Sequence, residues 1–250
     1  MPTLRIDLNA DLGEGAGQDA ALLSLITSAN IACGLHAGDP GMMVTALTAA
    51  RDAGVAVGAH PGLMDREGFG RRELAVTPGE VFSLVTYQVG AFAALAKAVG
   101  VRPRHVKPHG ALYNMAARDA GLAEAIVKAV IGVDRGLFLV APPGSELARA
   151  GMSAGLRVVG EFFADRNYLP DGALVPRSRP DAVLHHPEVI APRVLRMLRD
   201  GVVTAVSGED ISMRAETICL HGDNAEAVVF ARALREALEK AGVVVSGISG

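Results

Sequence analysis

One rhythm constrains this chain more than anything else in it. A short apolar run of strand type leads into a Gly-rich turn bearing His, Asp or Glu, and the turn leads into a stretch of helical periodicity. Strand-type runs fall at residues 4–8, 28–33, 55–59, 105–109, 137–141, 157–162 and 217–220. Helices are predicted from Asp19, over 41–54, over 77–100 behind the capping box Thr77-Pro78-Gly79-Glu80, and over 119–131, 146–150, 188–199 and 224–242, the last with Asp223 and Glu226 as a second capping box. Only residues 202–206 and 211–213 break the alternation; they read as a hairpin across Gly208-Glu209-Asp210. Strands that alternate with helices form parallel β/α units with right-handed crossovers. Seven such strands, all but the fifth ending in His, Asp or Glu, predict a closed or nearly closed seven-stranded β/α barrel, since barrels assemble their sites from loops at the C-terminal strand ends. No linker, repeat or low-complexity tract interrupts residues 1–250, so one domain is expected.

The most informative stretch is His105-Val106-Lys107-Pro108-His109-Gly110-Ala111-Leu112-Tyr113-Asn114. In an extended strand the period of two sends His105, Lys107 and His109 to one face. A buried ammonium must be paired, so a Lys between two His on the inner face of a barrel points to chemistry.

Several function classes fall away. Aromatics make up 4% of the chain, Trp is absent and the net charge is −3, so neither a stacking platform nor a basic stripe for nucleic acid is present. Residues 1–5 lack the apolar core of a signal peptide and no apolar run reads as a membrane span, so a cytoplasmic protein is expected. Cys33 and Cys219 lie in separate strand-like segments, and a disulfide is not expected. Gly13, Gly15 and Gly17 suggest a dinucleotide loop, but Gln18 stands where the third glycine of that fingerprint belongs. There is no Gly-Lys dipeptide, hence no Walker A phosphate loop, and the G-x-S-x-G match at residues 151–155 follows a helical stretch instead of a strand, so it is not read as a nucleophile elbow.

What remains suits general acid–base chemistry on a small polar molecule. His36, His60, His105, His109 and His221 fall at strand ends with Asp11, Glu14, Asp39, Lys107, Glu161, Asp165 and Asp223. Lys107 would supply fixed positive charge. Asp39 before Pro40 is also a good helix N-cap, and the long loop after His60, with Asp65, Arg66, Arg71 and Arg72, has the length of a lid. Metal is the rival explanation: Asp11, His36, His60 and His109 could ligate a divalent ion. The compact spacings H-E-x-x-H and C-x-x-C are missing, and a tightly bound metal is not expected.

At these residues the chain resembles the LamB/YcsF family. The resemblance runs nearly end to end, through Asp7-Leu8-Asn9-Ala10-Asp11-Leu12-Gly13-Glu14, Ala29-Asn30-Ile31-Ala32-Cys33-Gly34 with His36-Ala37-Gly38-Asp39, Gly58-Ala59-His60-Pro61, Gly68-Phe69-Gly70-Arg71-Arg72, the 105–114 stretch, Phe163-Ala164-Asp165-Arg166 with Tyr168, and Cys219-Leu220-His221-Gly222-Asp223. Departures are small: Leu63-Met64 stands where an aromatic and a Pro are expected, and Ala10 where Cys is frequent. The resemblance implies a barrel of the glycoside hydrolase/deacetylase type. It further implies opening of the lactam of 5-oxo-L-proline to L-glutamate with hydrolysis of ATP, carrying Mg2+ as its counter-ion, together with two partner subunits, B and C. The expected catalytic groups are Asp11 or Glu14 as base toward water, His60 or His109 as acid toward the ring nitrogen, and Lys107 with Arg71 for the substrate carboxylate or a phosphoryl group. Asn9, His36, Asp39, His105, Tyr113, Asn114, Glu161, Asp165, Arg166, His221 and Asp223 are expected around the substrate. Without a phosphate loop in this chain, much of the nucleotide site is expected on the partners.

Overall fold

Strand and helix alternate along a barrel whose order can be read off the chain. The protein is described by a computed structural model covering residues 4–184, 186–220 and 227–248. The elements are β1 (Arg5–Leu12), α1 (Asp19–Leu23), β2 (Ser28–Ala32), α2 (Pro40–Asp52), β3 (Ala56–His60), α3 (Pro78–Ala98), β4 (His105–Val106), α4 (Gly110–Arg118), α5 (Ala120–Val133), β5 (Phe138–Ala141), α6 (Glu146–Ser153), β6 (Val158–Phe163), α7 (Pro187–Asp200), β7 (Val202–Thr204), β8 (Asp210–Ser212), β9 (Thr217–Leu220), α8 (Ala227–Lys240) and β10 (Val244–Val245). Seven of the strands run parallel in the order β1-β2-β3-β4-β5-β6-β9, and β9 pairs back onto β1, with Asn9 opposite Cys219, to close the barrel. β7 and β8 form the predicted antiparallel hairpin outside it.

Alternation along β1 explains the interior. Leu8, Ala10 and Leu12 are buried among the helix-facing core, while Asp7, Asn9 and Asp11 bond to groups on other barrel strands. The same period on β2, β3, β6 and β9 brings in Ser28 and Asn30, Gly58 and His60, Glu161, and Thr217 and Cys219. The barrel is therefore apolar between sheet and helices and polar along its axis. Asp7 sits at the bottom, accepting from Thr27 and Ser28, each at 2.7 Å, and from Thr217. Burial holds its carboxyl above the usual range.

The structure alters several boundaries. β1 extends to Leu12, so Asp11 lies on a strand rather than in a loop. β4 shrinks to two residues, because Pro108 has no N–H to continue a ladder and His109 begins a helix, α4, that the reading by periodicity lacks. β10 adds an eighth parallel strand against Arg5–Ile6. Helix α3 is, among the described residues, the one helix long and apolar enough to cross a membrane, with mean hydropathy 1.3, contrary to the expectation that no run would reach that length. Its stripe Val81, Val85, Val89, Phe92 and Ala96 is buried, and it packs against α5. His221, Asp223 and the second capping box lie outside the described residues.

Candidate active site

The floor of the site is built around Lys107. Its ammonium lies 3.2 Å from Asn9 Oδ1, 3.1 Å from Asp11 Oδ1 and 2.8 Å from Glu161 Oε1, with Cys219 Sγ at 3.1 Å. An ammonium has three N–H donors, and three oxygens take them. Burial opposes the charge, but Asp11 and Glu161 outweigh it and hold the Lys107 pKa well above its ordinary value. Tyr113 donates to the other oxygen of Glu161 at 2.7 Å, and burial beside that carboxylate keeps it a neutral phenol. Burial likewise pushes the Cys219 thiol up, which removes it as a nucleophile.

Asn30 fixes Asp11. Its Nδ2 donates to Asn9 Oδ1 at 2.7 Å and to Asp11 Oδ1 at 2.9 Å, which turns its Oδ1 toward His105 Nε2 at 2.7 Å. His105 is therefore the donor there, and it is held neutral in the barrel wall. Its ring fills the space where a Cβ on Gly58 would stand 2.2 Å away, so residue 58 can carry no side chain.

Above the floor, three imidazoles and a carboxylate meet. His60 Nδ1 donates to the carbonyl of Lys107 at 2.7 Å, and His109 Nε2 donates to the carbonyl of Phe69 at 2.8 Å. Phe69 takes a positive φ of 53° to present that carbonyl, a strained backbone of the kind functional sites retain. These two bonds leave His60 Nε2 and His109 Nδ1 with their lone pairs facing each other at 3.0 Å. Two neutral rings in that arrangement repel, so the slot between them must hold a cation. Asp11 Oδ2 lies 3.4 Å from His60 Nε2, and Glu14 Oε1 lies 3.9 Å from His60 Nε2 and 3.3 Å from His109 Nδ1. Burial works against an imidazolium at His60, but Asp11 and Glu14 overcome it and raise its pKa, whereas burial and the neighbouring His60 and His36 push His109 well down. His36 donates from Nε2 to Glu14 Oε1 at 3.1 Å, and burial lowers it to about 3.

The slot also tests metal binding. Donor atoms of Glu14, His36, His60 and His109 all lie within 4.8 Å of one another. Their closest separations, 3.0 to 3.9 Å, bracket the edge of about 3.3 Å expected of a tetrahedral ion with bonds of about 2.0 Å. Carbonyl partners on the far nitrogens of His60 and His109 fit metal-ligating histidines as well. His36 does not fit as it stands: its ring is stacked on His109 at 3.8 Å with 2° between the planes, and no point lies in both planes. A divalent ion could be held by Glu14, His60 and His109, with Asp11 beside it and His36 joining only after its ring turns.

These groups open into a cavity of about 300 Å3 that is also lined by Arg71, Tyr113, Asn114, Arg166 and Arg177. Gly70, at φ +64°, packs against two of the imidazoles; a Cβ there would lie 2.7 Å from His36 Cβ and 2.9 Å from His109 Cδ2. Of the residues singled out by sequence, Asn9, Asp11, Glu14, His36, His60, His105, Lys107, His109, Tyr113 and Glu161 belong to this one network. Asp39 does not: it is exposed and caps α2 by accepting from Met42 N at 2.8 Å. Asn9, His105 and Glu161 are used up by the floor, so they position other groups instead of lining the substrate. Asn30 and Arg177 are not among the site residues expected from sequence. Asn30 stands on β2 opposite Asp11, a pairing that sequence does not reveal, and Arg177 lies in the irregular Pro- and Arg-rich segment where periodicity gives no direction.

Comparison with known proteins agrees with this architecture. The chain is 53% identical to the 5-oxoprolinase A subunit of Methylococcus capsulatus (strain Bath), over 98% of this chain and 96% of that protein. It superposes on the crystal structure of the lactam utilization protein from Thermus thermophilus with a TM-score of 0.92 at 49% identity, covering 98% of this chain and all of that one. A family 4 carbohydrate esterase from Streptomyces lividans shares the fold alone, at TM-score 0.51 and 14% identity over 98% of this chain and 93% of that one. Residues 6–250 match the LamB/YcsF family, and the chain is a member of it.

Proposed function

We propose that this chain hydrolyses the lactam bond of 5-oxo-L-proline to give L-glutamate, in an ATP-dependent reaction shared with two partner subunits, B and C. Likeness along the whole chain to proteins named as the A subunit of 5-oxoprolinase supports the substrate. The observation that carries the chemistry is the cation-holding slot between His60 and His109, set beside the Asp11 carboxylate. With a proton in the slot, the site contains a base and an acid 3.4 Å apart. Asp11, or Glu14 across the slot, takes a proton from water as its oxygen adds to the lactam carbon. The His60–His109 pair gives its proton to the ring nitrogen as the carbon–nitrogen bond breaks. Lys107 pairs with Asp11, and Asn30 aims it.

A lactam is a poor electrophile, and ATP answers that by transferring a phosphoryl group to its oxygen before water attacks; cleavage of the carbon–nitrogen bond then leaves γ-glutamyl phosphate, which a second water hydrolyses to L-glutamate and inorganic phosphate. With no Gly-Lys dipeptide in this chain, that transfer and its Mg2+ belong mainly to the partners. The test is glutamate release from 5-oxoproline by the chain alone and with B and C, with and without ATP. ATP-dependent release only in the mixture is expected. No release in any combination of folded, associated subunits overturns the reading.

A second reading is favoured by the carbonyl-anchored tautomers of His60 and His109: a divalent ion in the slot and a metal-dependent amidohydrolase or deacetylase that needs no ATP. Such an ion would lower the pKa of a bound water. Stoichiometric metal in the purified protein, with ATP-independent activity lost on chelation, would select it.

A further inference from the structure

Besides Asp11 and Lys107 of the floor and Glu14 above it, three guanidinium groups, Arg71, Arg166 and Arg177, line the cavity. Lys107, the obvious partner for a substrate carboxylate, has its three N–H donors committed to Asn9, Asp11 and Glu161. A carboxylate pushed down to it would also meet the floor carboxylates.

Arg166 is an uncommon rim residue, since it is only 5% exposed. Its Nε donates to the carbonyl of Ala182 at 3.1 Å and its Nη2 to that of Val175, so Nη1 is left for the cavity that it lines. The same bonds fold the Leu174–Arg177 segment over the cavity. Arg71 is fixed by its guanidinium lying 4.9 Å over the Phe69 ring, which packs edge-on to His109 at 5.5 Å. Burial brings Arg166 down to about 10, and repulsion from Arg177 and Arg71 adds to this against the pull of Asp165. Glu73, which also lines the cavity, is paired with Arg118 at 2.6 Å.

We infer that Arg71, Arg166 and Arg177 form a carboxylate subsite that holds the acid group of the substrate away from the floor, so that the lactam amide faces Asp11, His60 and His109. Specificity would then be for acidic lactams over neutral ones, which deepens the function proposed above and rests on it. Arg166 anchors the segment through backbone carbonyls, so Arg71 and Arg177, both exposed, are the positions to vary.

The test is calorimetric titration of the purified chain with three probes: 5-oxoproline, its neutral carboxamide, and tetrahydrofuran-2-carboxylate, an acid without a lactam. Wild type is expected to prefer 5-oxoproline to the carboxamide by tenfold or more. Arg177→Gln and Arg71→Gln are each expected to weaken 5-oxoproline about tenfold, the scale of one charged hydrogen bond, and to leave the carboxamide unchanged. Arg51→Gln, on the far end of α2, is the control and should bind as wild type. If both rim variants bind 5-oxoproline as wild type does, the subsite is wrong and the proposed function stands. If only tetrahydrofuran-2-carboxylate binds, in an Arg177-dependent way, the subsite stands and the 5-oxoproline reading fails. If no probe binds, both fall.

Discussion

His105 makes the stability of this protein pH-dependent through one proton. It is 1% exposed; burial first, and then the charges of Lys107 and His60, lower its pKa from 6.5 to about 3. Geometry gives the reason. Nε2 donates to Asn30, and the buried Nδ1 has no partner, so a second proton would sit on a nitrogen with nothing to accept it. In the unfolded chain the same imidazole titrates near its ordinary value. Below about pH 6.5 the unfolded state therefore binds a proton that the folded state refuses, and stability falls with pH until the folded pKa is reached. Each pH unit well below 6.5 in that window costs about 1.4 kcal/mol, and with half the proton already taken up at pH 6.5 wild type loses about 2 kcal/mol between about pH 6.5 and 4.5 from this group alone. Urea unfolding across that range measures the loss. In His105→Gln, whose amide can still donate to Asn30, the decline should be shallower by about 2 kcal/mol, whatever its stability at neutral pH, because His36 and the carboxylates titrate in both proteins. Parallel curves for the two proteins would refute the reasoning, as would His105 ring resonances that titrate near pH 6 in the folded protein.

Three further outcomes follow from the same geometry. Lys107→Met should destabilise by about 3–5 kcal/mol in denaturant titrations, since it strands Asp11 and Glu161 in the barrel without their counter-charge; Lys107→Met together with Glu161→Gln should recover part of that loss. Gly70→Ala should reduce 5-oxoproline binding far more than it shifts the melting temperature, because the added Cβ strikes His36 and His109 on a loop and not in the core. Asp65, held below the usual carboxylate range chiefly by Arg72 and also accepting from Gly68 N, steadies the loop that carries Phe69 and Gly70. That contribution is present above the ordinary Asp pKa and is lost as pH falls through the lowered one, so amide exchange in residues 65–72 should quicken in Asp65→Asn at neutral pH and in wild type only in acid.

The fold was legible because its signals are local. Each strand is a short apolar run, each helix start a cap such as Thr77–Glu80, and neither needs a distant partner to be recognised. Seven repeats of that unit leave little choice but a parallel barrel, and the period of two put His105 and Lys107 on its inner face. The residue types of the site were legible too, since His, Lys and carboxylates at strand ends have few structural uses. What each does was decided by cross-strand register and by loops. Asn30 clamps Asp11 only because β2 lies in one register against β1, and that register is set by packing across the sheet. Asp39 lies next to the site in sequence but turns away, because capping α2 satisfies a backbone N–H that nothing else reaches. Lys107, expected on the substrate, is spent on groups of β1 and β6 that converge only when the barrel closes, and the task of meeting an anion passes to Arg166 and Arg177 in the least patterned segment of the chain. Periodicity is a property of neighbours along the backbone; a barrel mouth is made by groups more than 100 residues apart, such as Asn9 and Glu161, and closure of the sheet alone brings them within 3.1 Å.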